Sequence, residues 1–346
     1  MENIQITSLN SALLHSLMLV NQQGEKRETR GFICYEAPEP VTIKLYNPSD
    51  RYVTLPERKW NKILPFAEFI WLMLGLNDLD SLPGTYVKNL YNFSDDNKSW
   101  RAGYGPRLRN LIGFNSDRVL SEPKHSQIFS SEVGSTDQLK FIIESLKRDI
   151  NTRQAVIDIG YPLSDNWNQD GTLKTTKDQP CTRILNFQMR SGRLDLTVYM
   201  RSNDIIWGMS SVNIFNFTTI QEVVAAIVGV PVGNYYHVAN NLHYYDDMSE
   251  TVGNILNSGY KVKIRKPYYY NWGSGVTLEE FDSETLNLWE YERALVRGEI
   301  FPFNFPKFKY DFHKDFFTVF WNKWKKEKKR FINPYLNNLF YGEFES

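Results

Sequence analysis

The sequence predicts an α+β fold, a large mixed sheet with flanking helices. Residues 184–189 (ILNFQM) and 193–200 (RLDLTVYM) alternate in polarity on either side of a Ser-Gly pair, which predicts a β-hairpin. Residues 63–75 and 213–229 are long apolar segments that predict buried helices. Strands and helices are mixed without a regular βαβ alternation, which favours α+β.

The first half of the chain contains predicted strands and helices in turn. Residues 41–54 (VTIKLYNPSDRYVT) alternate and then turn at an Asn-Pro pair, which predicts a strand. Residues 63–75 predict a helix that ends at a glycine, with one charge, Glu68, in its middle. Residues 137–150 predict an amphipathic helix, and residues 155–161 (AVIDIGY) predict the strand that follows. The apolar face of that helix consists of Leu139, Ile142, Ile143 and Leu146.

The second half ends in an aromatic and basic tail. The helix predicted at 213–229 has an apolar stripe that consists of Phe217, Ile220, Val224 and Ile227. Residues 316–331 (FFTVFWNKWKKEKKRF) predict a basic amphipathic helix. We expect it to dock through Phe317, Trp321 and Trp324 with a solvated lysine face. The alternative is a nucleic-acid or membrane-binding role.

The composition argues against several classes of protein. Lys+Arg and Asp+Glu both number 40 among 346 residues, so no general attraction to nucleic acid or anionic membrane is expected. We find no apolar run of about 18 residues that predicts a spanning helix, and no signal-peptide pattern at the N-terminus. Two cysteines are too few for a disulfide framework and indicate a reducing compartment. We therefore expect a cytoplasmic protein without a metal, membrane or nucleic-acid partner.

Cys181 is the first candidate for chemistry. It directly follows Pro180 and precedes the predicted hairpin, a position where a side chain can be held rigidly. An arginine beside a thiol favours the thiolate, the form that attacks. The arginines that follow closely are Arg183, Arg190, Arg193 and Arg201. The alternative is a small buried apolar residue, which is how we interpret Cys34.

Glu68 is the second candidate. Burying a carboxylate among apolar neighbours is costly unless the group is paired or protonated. The neighbours are Phe66, Phe69, Ile70 and Trp71. The helix can turn this one charge to solvent, or it can bury a carboxyl group whose raised pKa suits proton transfer. The sequence alone leaves both interpretations open.

Both candidates belong to a longer series of motifs. The series contains Arg30-Gly31, Glu68 in AEFIW, Tyr104 in GYGPRLR, Arg153 in NTRQ, Pro180-Cys181, Arg201-Ser202-Asn203-Asp204, Gly208, Asn213, and His243 with Tyr245 in HVANNLHYY. In order and approximate spacing, this series resembles thymidylate synthases and the related pyrimidine nucleotide hydroxymethylases. The resemblance covers roughly residues 25–250, and the separated motifs make it specific.

The resemblance implies covalent catalysis on a pyrimidine nucleoside monophosphate, with 5,10-methylenetetrahydrofolate as the one-carbon donor. Cys181 is the implied nucleophile at C6 of the base, and Glu68 and Tyr104 are the other implied catalytic residues. The implied cofactor-binding residues are Asp204 and Gly208.

The resemblance also implies how the nucleotide is bound. Arg30, Arg201 and Ser202 are expected to bind the 5′-phosphate, because guanidinium groups suit a dianion. Arg153 resembles the arginine that reaches the phosphate from the partner subunit, which implies a homodimer with shared active sites. His243 and Tyr245 are expected at the sugar hydroxyl, and Asn213 at the base.

The sequence departs from the synthase pattern in ways that bear on the product. Thr182 follows the nucleophile where synthases usually have histidine, and Gln154 replaces a second arginine. Asp178 or Gln179 stands where an apolar residue packs on the folate. Residues 207–213 are one residue longer than in synthases and lack their Pro-Phe pair, and the chain ends YGEFES rather than in a small apolar tail. We interpret these changes as a wetter pocket in which water adds to the intermediate, which favours hydroxymethylation over methylation.

Asn213 favours deoxyuridylate, because an amide matches the O4 and N3–H edge of uracil, where cytidylate enzymes present aspartate. The segments RSNDIIWGMSSVN and YYHVANNLHYY look closer to virus-associated relatives, for which the cytoplasm is that of an infected host. The alternatives are a thymidylate synthase, a deoxycytidylate or cytidylate hydroxymethylase, and a non-catalytic nucleotide- or RNA-binding homologue. We expect a catalytic domain in residues 1–260 and an aromatic-rich extension packed on it in residues 261–346.

Overall fold

The computed structural model describes residues 6–29, 31–114, 133–299 and 305–343. The helices are α1 (Leu9–Gln23), α2 (Leu64–Met73), α3 (Leu82–Tyr86), α4 (Tyr104–Arg109), α5 (Gln138–Arg148), α6 (Pro162–Asp165), α7 (Ile214–Val228), α8 (Ser249–Asn257), α9 (Leu278–Val296), α10 (Asp311–Lys325) and α11 (Pro334–Tyr341). The strands are β1 (Glu25–Thr29), β2 (Phe32–Glu36), β3 (Val41–Leu45), β4 (Leu111–Phe114), β5 (Val133–Thr136), β6 (Val156–Asp158), β7 (Thr182–Arg190), β8 (Arg193–Met200), β9 (Asn203–Asp204), β10 (Val232–Ala239) and β11 (Leu242–Tyr245). A π-helix, Ile205–Asn213, leads directly into α7.

The strands form mixed sheets, as the predicted α+β class requires. The larger sheet has the order β3-β10-β8-β7-β6, in which β10 and β8 are parallel and the other pairs are antiparallel. A second sheet has the order β1-β2-β11-β9, and β4 pairs with β5 separately. Since β8 runs into β9, and β10 into β11, the two larger sheets meet where these strands follow one another.

The predicted hairpin is confirmed. β7 and β8 pair antiparallel up to Arg190 opposite Arg193. Ser191 and Gly192 both have positive φ, 50° and 73°, which is the backbone conformation of a type I′ turn that matches the twist of the strands. The hairpin therefore places its open end, at Thr182 and Met200, next to Cys181.

The central helices are more deeply buried than their sequence patterns indicate. Every residue of α2 is buried, and α5 begins and ends close to its predicted bounds with its apolar face inside. α7 buries polar Gln221 and Glu222 in addition to the predicted stripe, so more than one face of this helix is buried. With the π-helix, α7 forms an apolar segment, Ile205–Val228, whose length and composition would allow it to cross a membrane. That segment's apolar window is 89 % buried inside the protein, as in a core helix.

Three predicted elements have different bounds in the structure. The strands expected at 41–54 and 155–161 are the shorter β3 and β6, because the chain leaves the sheet after a few paired residues. The basic helix expected at 316–331 begins at Asp311 and ends at Lys325, after which Lys326 is left-handed with φ of 55°. Its lysine-rich end is therefore not helical.

The basic helix docks through aromatic side chains, as predicted for two of the three. Phe317 and Trp321 of α10 are buried, whereas Trp324 is 37 % exposed and donates a hydrogen bond to the Tyr86 hydroxyl, 2.9 Å away. Phe316 of α10 packs on α2, with its ring 4.8 Å from that of Phe66. The C-terminal aromatic residues thus belong to the same hydrophobic core as α2.

A buried ion pair joins the segment after β3 to α7, and the same carboxylate contacts the C-terminal region. Arg51 donates to the carboxylate of Glu222, and both side chains are buried. The other Glu222 oxygen accepts from the backbone N–H of Tyr270 at 3.0 Å. Because a buried charge is tolerated only when it is paired and hydrogen-bonded, this contact specifies how the C-terminal region sits on α7.

Candidate active site

Cys181 lies immediately before β7, at the open end of the β7–β8 hairpin, where both strands of the hairpin position it. Its carbonyl oxygen accepts a hydrogen bond from the backbone N–H of Arg201, at 2.9 Å, which ties it to the end of β8. The β7–β8 register shifts between Thr182 and Ile184, immediately after the cysteine. Such bulges redirect neighbouring side chains and are frequent beside active sites.

Arg201 is the arginine that reaches the thiol. Its guanidinium donates to the carbonyl oxygens of Pro180 and Gln179, both at 3.0 Å. Its Nη2 also lies 3.8 Å from the sulfur of Cys181. A fixed positive charge at this distance favours the thiolate over the thiol.

The other arginines that follow Cys181 closely in sequence make their contacts elsewhere. Arg190 and Arg193 face each other beside the hairpin turn, at the opposite end of β7. Arg183 lies 4.0 Å from the carboxylate of Asp165, which Arg107 also binds at 2.6 Å. Closeness in sequence did not indicate closeness in space, because a strand carries its residues away at about 3.3 Å each.

Cys34 has the structural character predicted for it. It is buried in β2, and its thiol donates to Glu36 at 3.4 Å. Burial, with the Glu36 carboxylate beside it, raises the pKa of the Cys34 thiol to about 11. A thiol that remains protonated at neutral pH is a poor nucleophile.

Tyr104 begins α4 and lies against the strand that follows Cys181. Its hydroxyl accepts a hydrogen bond from the backbone N–H of Thr182 at 3.2 Å. Burial raises the pKa of Tyr104 to about 12, with further contributions from negative charge on Cys181 and Glu68. The three predicted catalytic residues therefore lie in one electrostatically coupled group.

Glu68 is buried, so the interpretation that α2 turns it to solvent is wrong. It is 7 % exposed, and its Oε1 accepts a hydrogen bond from the Asn216 side chain of α7 at 3.0 Å. Burial raises the pKa of Glu68 to about 8, although the hydrogen bond from Asn216 lowers it. A carboxyl group in this range can hold or release a proton near neutral pH.

The one-residue extension of segment 207–213 lies within the π-helix. An i→i+5 turn accommodates an additional residue without breaking the helix, and π-helices are frequent at functional sites. Asp204 caps its N-terminus, with Oδ1 accepting from the backbone N–H groups of Ile206 and Trp207 at 2.6 and 2.9 Å. Gly208 and Asn213 follow within the same element.

Gly208 is required by a close side-chain contact. A Cβ at this position would lie 2.5 Å from Nδ2 of Asn203 and 2.9 Å from Oδ1 of Asn213. These two amides are hydrogen-bonded to each other at 2.9 Å. The absence of a side chain at Gly208 leaves the space that this bond occupies.

Asp204 has a free acceptor that fits a bound pterin. Its second carboxylate oxygen, Oδ2, is buried without a hydrogen-bond partner among the described residues. Burial raises the pKa of Asp204 to about 6, although backbone N–H groups and Arg58 lower it. A buried acceptor without a partner is costly, and the N–H groups of a pterin ring are donors of the kind that would satisfy it.

His243 and Tyr245 lie on β11, next to the π-helix. β11 pairs in parallel with β9, which sets His243 opposite Asp204. The centroids of the His243 and Tyr245 rings are 5.2 Å apart, in an edge-to-face arrangement. Ser202, at the end of β8, donates to Asn241 at 3.4 Å. The residues expected at the sugar and the phosphate are thus placed around the end of β8 that carries Arg201.

Arg30 and Arg153 are not part of this group. Arg30 lies outside the described residues. Arg153 is exposed, and none of the described residues forms a hydrogen bond or ion pair with it. The neighbouring Ala155 accepts from the backbone N–H of Phe187, about 20 Å along β7 from Cys181. Arg153 therefore cannot reach the Cys181 site of its own chain.

Several polar residues of the site were not assigned a role from the sequence. Asn216 is hydrogen-bonded to Glu68. Asn203 is hydrogen-bonded to both Asn213 and His237. The signal available was polarity in an apolar context, because Asn216 interrupts the apolar segment NIFNF and a buried amide needs a partner. His237 belongs to an alternating strand and had no distinguishing pattern.

The site combines a cysteine at a strand end, an arginine beside its sulfur, a buried carboxyl group and a π-helix. The sequence model of the thymidylate synthase family matches residues 13–295. The chain belongs to the thymidylate synthase family.

Curated relatives from bacteriophages are similar to much of the chain. A deoxyuridylate hydroxymethyltransferase of Bacillus phage SP01 is 37 % identical over 249 residues, which are 72 % of this chain and 60 % of that protein. Proteins with the same name from Pseudomonas phage M6 and Delftia phage PhiW-14 are 31 % and 26 % identical, over 73 % and 83 % of this chain and 64 % and 74 % of their own lengths. The match thus spans less than two thirds of the first two relatives.

Proposed function

We propose that the protein is a cytoplasmic deoxyuridylate hydroxymethyltransferase. The observation that carries the proposal is the Arg201 guanidinium 3.8 Å from the sulfur of Cys181, in a chain similar to phage proteins of that name. The arrangement favours an activated thiolate, and a thiolate is what C5 chemistry on a pyrimidine requires.

Cys181 acts as the covalent catalyst. Its thiolate forms a bond to C6 of uracil, and the electrons of the C5–C6 double bond move toward C5 and O4. The added electron density turns C5, otherwise a poor nucleophile, into one that can form a carbon–carbon bond and then release its proton. Cleavage of the C–N bond to the new carbon releases tetrahydrofolate and leaves an exocyclic methylene on C5. Water adds to that methylene, and elimination of the sulfur from C6 leaves a hydroxymethyl group and regenerates the thiolate. Bound 5,10-methylenetetrahydrofolate supplies the one-carbon unit.

Glu68 transfers protons near the base, and Tyr104 forms hydrogen bonds there. A carboxyl group with a pKa near 8 is partly protonated at neutral pH, so Glu68 can both donate and accept. Tyr104 remains a neutral phenol, since its pKa is about 12. It can therefore hold a water molecule or a ring oxygen by hydrogen bonding without adding charge.

The nucleotide is held by residues from several parts of the chain. Arg201 and Ser202 bind the phosphate together with Arg30, His243 and Tyr245 bind the sugar hydroxyl, and Asn213 binds the base. The buried Asp204 Oδ2, with Gly208 nearby, accepts hydrogen bonds from the pterin of the folate.

Thr182 supports a hydroxymethyl product. Its side chain is fully buried and directed at the sulfur of Met200, 3.1 Å away, rather than toward the nucleotide. Without the histidine side chain that synthases usually have beside the nucleophile, we expect the site to admit water. Water that reaches the intermediate leads to hydroxymethylation instead of reduction to a methyl group.

The active form is a homodimer that packs through the larger sheet. One face of β7 and β8 is buried under α7, whereas Ile184 and Tyr199 on the other face are each 38 % exposed. Apolar side chains on an open sheet face are typical of an interface. Arg153, which cannot reach its own site, is then available to the phosphate in the partner subunit.

The test is tritium release from [5-³H]deoxyuridylate in the presence of methylenetetrahydrofolate. We expect wild type and the control Cys34→Ser to release tritium, and Cys181→Ser to be slower by about 10³-fold or more. Mass spectrometry of the product then distinguishes hydroxymethyldeoxyuridylate from thymidylate. Equal release by wild type and Cys181→Ser, or release by neither, would contradict the enzymatic function, and thymidylate with dihydrofolate would identify a synthase instead.

A further inference from the structure

A chain of hydrogen bonds runs behind Asn213 that the reaction above does not use. The Tyr235 hydroxyl lies 2.9 Å from Nδ1 of His237, and Nε2 of His237 lies 2.7 Å from Oδ1 of Asn203. Nδ2 of Asn203 donates to Oδ1 of Asn213 at 2.9 Å. The four residues are between 0 and 7 % exposed, so water does not compete for these bonds.

The chemistry of the partners determines the direction of the chain. Oδ1 of Asn203 can only accept, so Nε2 of His237 carries the proton and donates. Burial lowers the pKa of His237 to about 3, so the imidazole is neutral and its Nδ1 must accept. Tyr235 is therefore the donor at the start of the chain.

The opposite direction would leave a donor without a partner. If both amides were turned over, Nδ1 of His237 would donate to Tyr235. The Tyr235 hydroxyl would then have no acceptor among the described residues. A buried O–H without an acceptor is more costly than unused lone pairs on a phenol oxygen. The chain therefore runs from Tyr235 toward Asn213.

The direction fixes which end of the Asn213 amide is free. Oδ1 is directed at Asn203, and Nδ2 donates to none of the described residues. A free N–H₂ group matches the C4 carbonyl of uracil, which accepts, and mismatches the C4 amino group of cytosine, which donates. The reversed amide would have the opposite preference.

We propose that Tyr235, His237 and Asn203 are positioning residues that hold the Asn213 amide in the orientation that selects uracil over cytosine. The proposal rests on the proposed function in one respect, the contact of Asn213 with the base. It extends that function by assigning base selection to a buried relay instead of to Asn213 alone.

Asn203→Asp is the sharpest test. The carboxylate can still accept from His237 but cannot donate to Asn213, so Asn213 must turn its Nδ2 toward position 203 and its Oδ1 toward the base. We expect the ratio of kcat/KM for deoxyuridylate over deoxycytidylate, measured by tritium release, to fall by about 10-fold or more. Binding should lose the same preference: the Kd of deoxyuridylate divided by that of deoxycytidylate, measured by calorimetry, should rise.

Tyr235→Phe is the second variant, because it removes the donor that sets the direction while keeping the ring. We expect it to bring the kcat/KM ratio and the Kd ratio of the two nucleotides closer to one. The matched control is Tyr52→Phe, which removes a buried hydroxyl that accepts from Asn333 outside the site. We expect the control to leave the ratios unchanged, since a merely structural defect lowers kcat/KM equally for the two substrates.

The outcomes separate the inference from the function on which it rests. Unchanged ratios in Asn203→Asp and Tyr235→Phe, with an active wild type, overturn the relay and leave the proposed function intact. A wild type that releases no tritium contradicts the proposed function, but the Kd ratios still test the relay. Failure of wild type to bind either nucleotide overturns both.

Discussion

At the scale of single residues, burial decides what each ionisable group can do. Cys34 and Cys181 are the same residue type, yet one is buried beside a carboxylate and the other lies beside a guanidinium. The first environment disfavours the thiolate and the second favours it. Glu68 shows the same principle, because its raised pKa arises from burial.

Glu68→Gln should slow turnover by roughly 10²-fold or more while nucleotide binding stays nearly intact. Glutamine keeps the shape of the side chain and can still accept from Asn216, but it cannot transfer a proton. The measurements are kcat from tritium release and the Kd of deoxyuridylate by calorimetry. An unchanged kcat would show that Glu68 has no part in proton transfer.

The same variant should change how stability depends on pH. Since the folded-state pKa of Glu68 is about 8 and the ordinary value is 4.5, folding favours the protonated form. The contribution of Glu68 to stability is fully present below about pH 4.5 and is lost as pH rises toward 8. The free energy of unfolding of Glu68→Gln relative to wild type should therefore increase by a few kcal/mol between pH 5 and pH 8.

Urea unfolding of both proteins at the two pH values measures this difference. The other buried carboxyl groups, such as Asp50 and Asp315, are present in both proteins, so their contributions cancel in the comparison. A difference that does not vary with pH would mean that Glu68 is ionised in the folded protein at pH 5.

At the scale of elements, the π-helix is what distinguishes this site. It holds Asp204 at its N-terminus and Asn213 at its end, and it packs Gly208 against the amide pair between them. The additional residue relative to the synthase pattern is accommodated as a wider turn. The element thus carries, at its two ends, the group that we propose for the folate and the group that we propose for the base.

Gly208→Ala should disrupt this element locally. The new Cβ would meet Asn203, whose side chain is held by His237 and Asn213 and cannot move aside cheaply. We expect a loss of about 1–3 kcal/mol in stability and at least a 10-fold loss in kcat/KM. The control is Gly253→Ala in α8, where a Cβ meets nothing within 4 Å. Similar effects at both positions would contradict the packing argument.

At the scale of the whole molecule, the sheet both carries the site and separates Arg153 from it. Antiparallel pairing of β6 with β7 sends the chain away from Cys181, so Arg153 is presented at a distant surface. The exposed apolar side chains Ile184 and Tyr199 lie on the same sheet. In the homodimer that we propose through this face, each Arg153 is expected to serve the site of the other chain.

Subunit mixing tests the shared site. Arg153→Ala and Cys181→Ala homodimers should each be impaired, and mixing them should restore part of the activity, because a heterodimer can assemble one intact site. Mixing Cys181→Ala with Cys181→Ser should restore nothing, and Arg148→Ala, a change of another exposed arginine, should stay active. A fully active monomer in sedimentation would rule out the shared site.

Local patterns in the sequence are sufficient to predict several elements of the fold. The hairpin, α2, α5 and α7 follow from the periodicity of apolar side chains and from turn residues, which act over a few positions. The ordered motifs identified the family and the residues Cys181, Glu68, Tyr104, Arg201, Asp204 and Asn213. Arg201 and Tyr104 make contacts at the open end of the β7–β8 hairpin, and the roles of all these residues stay predictions.

Only the tertiary structure decided which groups meet. Four arginines follow Cys181 closely, yet strand geometry brings Arg201 to the sulfur and carries Arg190 and Arg193 away. A helical pattern could not determine whether Glu68 faces solvent, because that depends on α7 packing over α2 with Asn216 as its partner. The relay from Tyr235 to Asn213 joins strands distant in sequence, and hydrogen bonds between such strands leave no periodic signal. Pairing of distant segments is set by the complete core, so the chemistry of this site became specific only when the chain folded.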